Sequence, residues 1–388
     1  MDQAQYSTLL ETLQSMPDMR KARGKRYSWT LLMAMICSAL VSGQCSGHAI
    51  AHWISVHAKS LHAALKIQRS SMPSESTIRR ALRALDIETL EHRVSVYTQG
   101  LASSASAASD RTAEEAVLQG QAIDGKELRG VRAHGHPLCL VSLVTHQSGI
   151  VLAQTAVDGK SNEITAVPQL LAGRDLKGVV ITMDALLTQQ QLAQQIIDQG
   201  GHYLMVVKAN QARLHAAIQL LFDLPPWTRQ QRDQEYWTHK TFNKGHGRLE
   251  WRTLECSTAL GDYIAWPGIK QVLRRTCKRI IQKTGEIQQE VTYAVSDLSH
   301  PEASAAQFEM YWRGHWTIEN RLHYVRDVTM GEDACQIHRG GLPQVLATLR
   351  NAIISLLRAK KWSNIADAIR YFSASVYRSL KLIGALST

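Results

Sequence analysis

Apolar positions recur at mixed three- and four-residue spacing through the first hundred residues, as is typical of amphipathic helices. The predicted helices are Tyr6–Leu13, Trp29–Val41 and Ser46–Leu65, and a fourth that begins after Pro73–Ser76 and places Ile78, Ala81, Leu82 and Leu85 on one face. No strand pattern competes with them. We therefore predict a helical N-terminal domain over residues 1–100, with DNA binding as its role.

The pattern changes after residues 101–116 (LASSASAASDRTAEEA), which are rich in Ala and Ser and predict a linker. Three β-prone runs follow it, VLQGQAID, LCLVSLVT and GIVLAQTAV, as in an antiparallel meander. Helices and strands then alternate: helix Asn162–Leu171, strand Val179–Met183, helix Gln189–Asp198, strand Tyr203–Val207 and helix Gln211–Phe222. This alternation predicts a mixed α/β sheet over residues 117–224.

The stretch 225–298 is less regular, with β-prone pieces such as RLEWRTLEC and EVTYAVSDL among basic loops. We interpret it as a β-rich insertion. Residues 299–388 have helical periodicity and are predicted to complete the α/β core and to add C-terminal helices.

Charge and composition narrow the function classes. The 388 residues include 44 Lys+Arg and 33 Asp+Glu, for a net charge of +11, with 45% hydrophobic and 20% charged residues. These values exclude a disordered chain and a polytopic membrane protein. A basic excess favours nucleic acid as partner over an anionic membrane surface, and plain solubility is the alternative explanation. Six scattered cysteines without a CxxC pair, and an apolar run Leu31–Val41 too short to span a bilayer, predict cytoplasmic residence.

Three acidic residues occupy positions that favour binding of a metal ion. Asp124 and Asp184 each follow an apolar strand, so neighbouring strand ends would bring the two carboxylates together, which a divalent cation must neutralise. Glu319 lies in YWRGHWTIENRLHYVRDV, where we predict one α-helical stripe of His315, Glu319, His323 and Arg326. These acids predict a site for Mg²⁺ or Mn²⁺. Alternatives are capping roles for the aspartates, and a salt-bridge ladder or a zinc site for the stripe.

The predicted helix at Ile78–Leu85 also carries three arginines, Arg79, Arg80 and Arg83, on a second face. A short arginine helix after a turn fits phosphate contact or a helix-turn-helix recognition element. A solvated basic surface is the alternative.

An ordered set of segments spans most of the chain: PSESTIRRALRALD, AIDGKELRG, KSNEITAVPQLL, VVITMDA, GGHYLMVVKANQ, GHGRLEWR and RGHWTIENRLHYVRDVTMGEDACQI. With these segments the chain resembles the DDE insertion-sequence transposases of the H-repeat-associated (ISAs-type) group. The resemblance implies an RNase H-like catalytic core with a β-rich insertion, and it assigns Asp124, Asp184 and Glu319 as the DDE triad. It also implies two Mg²⁺ ions, with Mn²⁺ as a substitute, and double-stranded DNA as substrate.

The implied reaction is two-metal phosphoryl transfer, in which the enzyme cleaves the ends of an insertion sequence and joins the 3′-hydroxyl to target DNA. Asp124 would bridge the ions, and Asp184 and Glu319 would each complete one site. Synapsis of two ends implies a homodimer, and no membrane is involved. A catalytically silent DNA-binding protein and a metal-dependent nuclease without strand transfer are the alternatives.

Departures from the family patterns affect the surroundings of the acids. In the Tyr-Arg-Glu-Lys signature of the broader group, this chain has Trp312, His315, Glu319 and Arg326, so only Glu is identical. Asp184 is followed by Ala-Leu-Leu-Thr-Gln, where the group usually shows Ala-Met-Gly-Cys-Gln. Neither departure removes a predicted metal ligand.

Cationic and polar residues beside these segments are candidates for contacts with DNA phosphates, which fix register without reading sequence. The predicted DNA-binding residues are Lys126, Arg129, Lys208, Asn210, His246, Arg248, His315, Asn320, Arg326, Arg79, Arg80 and Arg83. Trp227, Trp237 and Trp251 are candidates for stacking on a frayed base, with core packing as the alternative.

Overall fold

A computed structural model describes residues 7–22, 25–107, 118–133, 136–157, 162–224, 235–245 and 247–387. Its α-helices are α1 Leu9–Gln14, α2 Trp29–Val41, α3 Gly47–Val56, α4 Ala58–Leu65, α5 Glu75–Arg83, α6 Ile87–Ala107, α7 Glu163–Leu171, α8 Gln190–Asp198, α9 Ala212–Asp223, α10 Ala305–His315, α11 Leu342–Ala359, α12 Ile365–Ser373 and α13 Val376–Leu382. A 3₁₀ turn covers Ala209–Gln211, and two π-helical stretches cover Glu319–His323 and Val325–Thr329.

The strands are β1 Gln119–Ala133, β2 His136–Thr145, β3 Val151–Ala156, β4 Val179–Met183, β5 His202–Val207, β6 Tyr236–Gly245, β7 Arg248–Ser257, β8 Gln271–Ile281 and β9 Ile287–Ser296. This mixed α/β fold with a helical N-terminal region confirms the predicted class. Contacts divide the chain into two units: one of Met1–Glu115, Gly125–Ala166 and Thr317–Thr388, and another of Ala116–Asp124 and Val167–Trp316.

The first unit holds the N-terminal helices, whose starts follow from local chemistry. The hydroxyls of Thr8, Ser28 and Ser46 accept backbone N–H groups at the starts of α1, α2 and α3. Helix α2 is buried along nearly its whole length, which confirms that its apolar run belongs to a protein core. None of the described helices is both long and apolar enough to cross a membrane.

Helix α6 extends further than the sequence predicted. It continues to Ala107, so residues 101–107 of the predicted linker are helical, and residues 108–116 lie outside the described residues. Alanine is the best helix former and serine is tolerated, so the small side chains that suggested a linker do not end the helix. The division of the chain into the five segments 1–100, 101–116, 117–224, 225–298 and 299–388 remains a prediction.

The strands of the first unit follow the order β3-β2-β1, and β2 and β3 pair antiparallel. Buried polar side chains tie this sheet to helices from both ends of the chain. The Ser95 hydroxyl of α6 donates to the carbonyl of Leu152 at 2.7 Å, and the amide of Val151 donates to Ser355 of α11 at 3.0 Å. The N- and C-terminal helices therefore share a core with β3.

The second unit contains the sheet β1-β4-β5-β9-β8-β7-β6. Strands β1, β4 and β5 run parallel, while β9, β8, β7 and β6 add antiparallel partners. The predicted insertion therefore supplies β-structure, as expected. Helix α10 covers the sheet with Phe308, Tyr311 and Trp312, which pack in one apolar cluster with buried side chains of β4, β5 and β7 to β9.

Candidate active site

The parallel ladder between β1 and β4 ends next to two acids in the second unit. Residues Gln119–Ile123 of β1 pair in parallel with Val179–Met183 of β4, and Ile123 lies opposite Met183. Asp124 and Asp184 each follow the last residue of this ladder, and we call them the strand-end aspartates for that reason, although β1 itself continues to Ala133. One carboxylate oxygen of Asp184 accepts the amide of Leu187 at 3.1 Å, which fixes the loop after the strand.

Thr182 of β4 joins three elements of the second unit behind these acids. Its hydroxyl donates to the carbonyl of Gln121 in β1 at 3.2 Å and lies 3.0 Å from Nδ1 of His315, at the end of α10. His315, a predicted phosphate ligand, is therefore engaged with the sheet through this nitrogen. The chain reaches Glu319 four residues further on.

The loop after β5 is fixed to the loop after β4. Asn210 donates its side-chain amide to the carbonyl of Ala185 at 2.6 Å, and Gln211 donates to the carbonyl of Thr188 at 2.9 Å. Lys208, at the start of the same turn, is exposed. This arrangement gives Asn210 a positioning contact beside Asp184 and leaves Lys208 accessible from solvent.

In the first unit, Glu319 lies in π-helical backbone, where the sequence predicted one continuous α-helix. The π-helical stretches Glu319–His323 and Val325–Thr329 follow each other closely. A π-turn closes i to i+5, so the α-helical spacing of His315, Glu319, His323 and Arg326 is interrupted at Glu319–His323. The predicted α-helical backbone is therefore wrong at these residues, although His323 still contacts Glu319. Such π-bulges are frequent at functional sites.

His323 holds the carboxylate of Glu319. Its Nδ1 lies 3.1 Å from Oε2 of Glu319, and the two side chains are 4% and 55% exposed. Burial lowers the pKa of His323, so the ring is neutral near pH 7. The hydrogen bond from His323 lowers the pKa of Glu319 despite partial burial, and the charge of Lys126 adds to this effect. The carboxyl group of Glu319 is therefore ionised, and His323 fixes its orientation.

The segment that follows Asp124 contacts the same π-helical region within the first unit. Lys126 makes an ion pair with Asp327, and both side chains are mostly buried. Burial raises the pKa of Asp327, partly offset by Lys126. A Cβ at Gly125 would come within 2.1 Å of the Glu163 carboxyl group, so glycine lets the strand pass against this side chain. Lys126, a predicted phosphate ligand, thus already has a carboxylate partner.

Arg326 is not a surface residue, and its predicted contact with DNA phosphate is wrong in this structure. Its side chain is 0% exposed and its guanidinium lies 2.7 Å from Glu332. Arg350 binds the other oxygen of Glu332 at 2.9 Å and donates to the carbonyl of Cys45 at 2.8 Å. Two guanidinium groups outweigh the burial of Glu332 and lower its pKa. The sequence analysis missed this buried triad, because Glu332 has no helical periodicity to mark it.

The other predicted DNA-binding residues lie in several places. Arg80 and Arg83 of α5 are exposed, whereas Arg79 is half-buried and lies 3.6 Å from Glu75. Arg129, Arg248 and Asn320 are exposed as well. His246 lies outside the described residues.

Two of the three candidate tryptophans can be assessed. Trp237 stacks on His300 with ring centroids 3.6 Å apart and packs against the core of the second unit, which supports the packing alternative. Trp251 is 39% exposed and lies 5.0 Å from Phe242 across the β6–β7 pair. Trp227 lies outside the described residues.

Two family models match separate segments of the chain. The family model described as "Transposase DDE domain" matches residues 116–356, and the model described as "DDE_Tnp_1-associated" matches residues 10–98. The first match contains both strand-end aspartates, the π-helical region and Glu332. The second covers most of the N-terminal helices.

Among curated relatives, the chain is 34% identical to "H repeat-associated putative transposase YhhI" of Escherichia coli (strain K12), over 62% of this chain and 64% of that protein. It is also 34% identical to "Putative transposase YncI" of Escherichia coli O157:H7, over 61% of each. The match therefore spans less than two thirds of the length of these relatives. Among solved structures, a piggyBac transposase synaptic complex with hairpin DNA gives a TM-score of 0.48 at 10% identity, over 97% of this chain and 78% of that chain.

Proposed function

This chain belongs to the DDE transposase family, and from that membership we propose that it is a metal-dependent DNA transposase. In this proposal it cleaves DNA at the ends of an insertion sequence and joins the 3′-hydroxyl to target DNA. The register of β1 against β4 supports the proposal most strongly. It brings the backbones of Asp124 and Asp184 to the end of one ladder, and two carboxylates close together are unfavourable unless a cation neutralises them.

Asp124, Asp184 and Glu319 are the proposed metal ligands. Continuity of the chain supports adding Glu319 to the two aspartates. Helix α10, which ends four residues before Glu319, contacts β4 through His315 and Thr182. Lys126, two residues after Asp124, contacts Asp327, eight residues beyond Glu319. Each of these contacts joins chain neighbours of two of the acids within one unit.

The donor set fits Mg²⁺ or Mn²⁺ better than zinc. Three carboxylates are hard oxygen ligands, which these ions prefer. His323, which also offers a ligand atom, points its Nδ1 at Glu319, and Nδ1 of His315 lies at Thr182, so the predicted two-histidine zinc site has no support. When bound, two such ions supply activation of a water or 3′-hydroxyl and stabilise the leaving oxygen.

Several exposed residues have a proposed role in binding DNA. Asp124, Asp184 and Glu319 would hold the metal ions through their carboxylates. Lys208, Arg129, Arg248 and Asn320 are exposed and contact backbone phosphates. Arg80 and Arg83 contact phosphates from the N-terminal helices. Synapsis of two DNA ends requires two copies, and so we propose a homodimer in that complex.

A strand-transfer assay tests this function. Purified protein is incubated with Mg²⁺, a labelled DNA carrying the flanking ends of the element, and a supercoiled target. A transposase gives cut ends and joined products, and Asp124→Asn removes both while retaining DNA binding. Cuts without joining would identify a nuclease, and binding without either product would identify a catalytically silent protein. Asp198→Asn, on the exposed end of α8, is the matched control and should behave as wild type.

A further inference from the structure

A cavity near the C-terminus of the chain takes no part in the proposed active site. It has a volume of about 770 Å³, within the range of roughly 300–1,000 Å³ usual for small-molecule sites. Its walls come from the end of α11, from α12 and α13, and from Tyr97 and Leu101 of α6, all in the first unit. We call it the C-terminal cavity.

One wall of the C-terminal cavity is aromatic. Trp362, Tyr371 and Phe372 form a cluster with ring centroids 5.1 to 5.8 Å apart. Tyr371 is 44% exposed, so part of the cluster is accessible from solvent. Side chains of this kind bind flat conjugated rings by stacking, and the stacking is tolerant of which nucleobase is present.

The same cavity is strongly cationic. Lys360, Arg378 and Lys381 line it, and no Asp or Glu is among the described residues of its lining. Arg378 lies over the ring of Tyr371, with its guanidinium carbon 4.2 Å from the ring centroid. The guanidinium therefore covers one face of the Tyr371 ring, which places attraction for an anion next to the aromatic surface that remains for stacking.

We propose that the C-terminal cavity binds a nucleotide, with the base against Trp362 and Tyr371 and the phosphate at Arg378 and the two lysines. A neutral aromatic compound would make no ionic contact with the three cationic side chains, and a simple anion would make no stacking contact with the aromatic wall. The nucleotide is either a free mononucleotide or an unpaired nucleotide of a DNA strand, and only the second source rests on the proposed function.

Calorimetric titration of the full chain without divalent metal tests this proposal independently of DNA cleavage. The probes are deoxyadenosine monophosphate, deoxyribose 5-phosphate, a short oligothymidylate and a blunt duplex. Deoxyadenosine monophosphate should bind about tenfold more tightly than deoxyribose 5-phosphate, because one stacked base contributes on that scale. A further gain for the oligothymidylate over the mononucleotide identifies a DNA strand as the source, and equal affinity identifies the free nucleotide.

Variants assign the binding to the cavity. Tyr371→Leu and Arg378→Gln should each weaken binding of deoxyadenosine monophosphate about tenfold. Arg370→Gln is the matched control, because Arg370 is exposed on α12, pairs with Asp367 and does not line the cavity. Lys381→Gln, at an exposed position, replaces Tyr371→Leu if the latter fails to fold. Equal affinity for deoxyribose 5-phosphate, or unchanged binding in Arg378→Gln, would overturn the proposal.

Discussion

The two strand-end aspartates and Glu319 are held in place by different forces. Asp124 and Asp184 follow Ile123 and Met183, which face each other in a parallel ladder, so backbone hydrogen bonds set their positions. Glu319 lies in π-helical backbone, and its carboxylate is oriented by the side chain of His323. A residue that backbone hydrogen bonds position keeps its place in most substitutions of its neighbours. A carboxylate that another side chain orients depends on every contact that holds that side chain in place.

The strand ends and the π-helical region also differ in buried charge. The π-helical region ends in the triad of Arg326, Glu332 and Arg350, all nearly inaccessible to solvent. Removing one member of such a group leaves charge without compensation in a low-dielectric interior. The contacts described above for the strand ends are those of the Asp184 carboxylate with the amide of Leu187 and of the Thr182 hydroxyl with the carbonyl of Gln121. The π-helical region should therefore be the more sensitive of the two to conservative substitution.

The largest expected effect is loss of activity on removing a strand-end carboxylate. Asp124→Asn and Asp184→Asn should each lower Mg²⁺-dependent DNA cleavage by at least about 10³-fold, because metal catalysis contributes several kcal/mol. Affinity for DNA, measured by gel shift, should be retained. Activity within tenfold of wild type in either variant would contradict the assignment.

The buried triad should dominate the stability of the π-helical region. Glu332→Gln should lower the free energy of unfolding by about 3–5 kcal/mol, because two buried guanidinium groups lose their carboxylate. Urea denaturation monitored by circular dichroism measures this. The exposed Glu88→Gln on α6 is the control, expected within about 0.5 kcal/mol of wild type. A similar small value for Glu332→Gln would refute the role of the triad.

His323 should affect catalysis more than binding. His323→Asn should slow Mg²⁺-dependent cleavage about 10- to 100-fold, the usual cost of losing a residue that orients a metal ligand. The dissociation constant for DNA should not change, and His338→Asn, at an exposed position, should leave the rate unaltered. If His323→Asn loses DNA affinity in proportion to rate, the residue supports the fold and does not specifically orient Glu319.

The arginines of α5 should act through phosphate attraction. The double substitution Arg80→Gln, Arg83→Gln should reduce the slope of log affinity against log salt by about two, one for each lost phosphate contact. Fluorescence anisotropy with duplex DNA across a salt series measures the slope. An unchanged slope would show that these side chains form a solvated basic surface and nothing more.

A smaller effect is expected in the pH dependence of stability. The pKa of Glu332 is lowered in the folded chain, so the unfolded chain binds its proton more readily. The stabilisation is therefore complete above the ordinary glutamate value of 4.5 and is lost as pH falls through the folded pKa. Denaturation between pH 3 and pH 6 should show less acid destabilisation in Glu332→Gln than in wild type.

The elements best predicted from the sequence are those whose structure is set by burial alone. The apolar run before Asp184 predicts the strand and its end, since a fully buried strand is continuous in hydrophobicity. The π-helical backbone was missed because an α-helix and a π-bulge share almost the same periodicity over one or two turns. Glu332 was missed for a related reason: its partners, Arg326 and Arg350, become its neighbours only after folding.

We propose that Asp124, Asp184 and Glu319 share one metal site, and iron-directed cleavage of the backbone can detect such a site. Fe²⁺ replaces Mg²⁺ in the full chain, and hydroxyl radicals released with ascorbate and peroxide cut the peptide near bound iron. A shared site should give cuts beside all three acids, and both excess Mg²⁺ and Asp124→Asn should suppress these cuts together. Cuts beside only one acid, or cuts that persist in Asp124→Asn, would contradict a shared site.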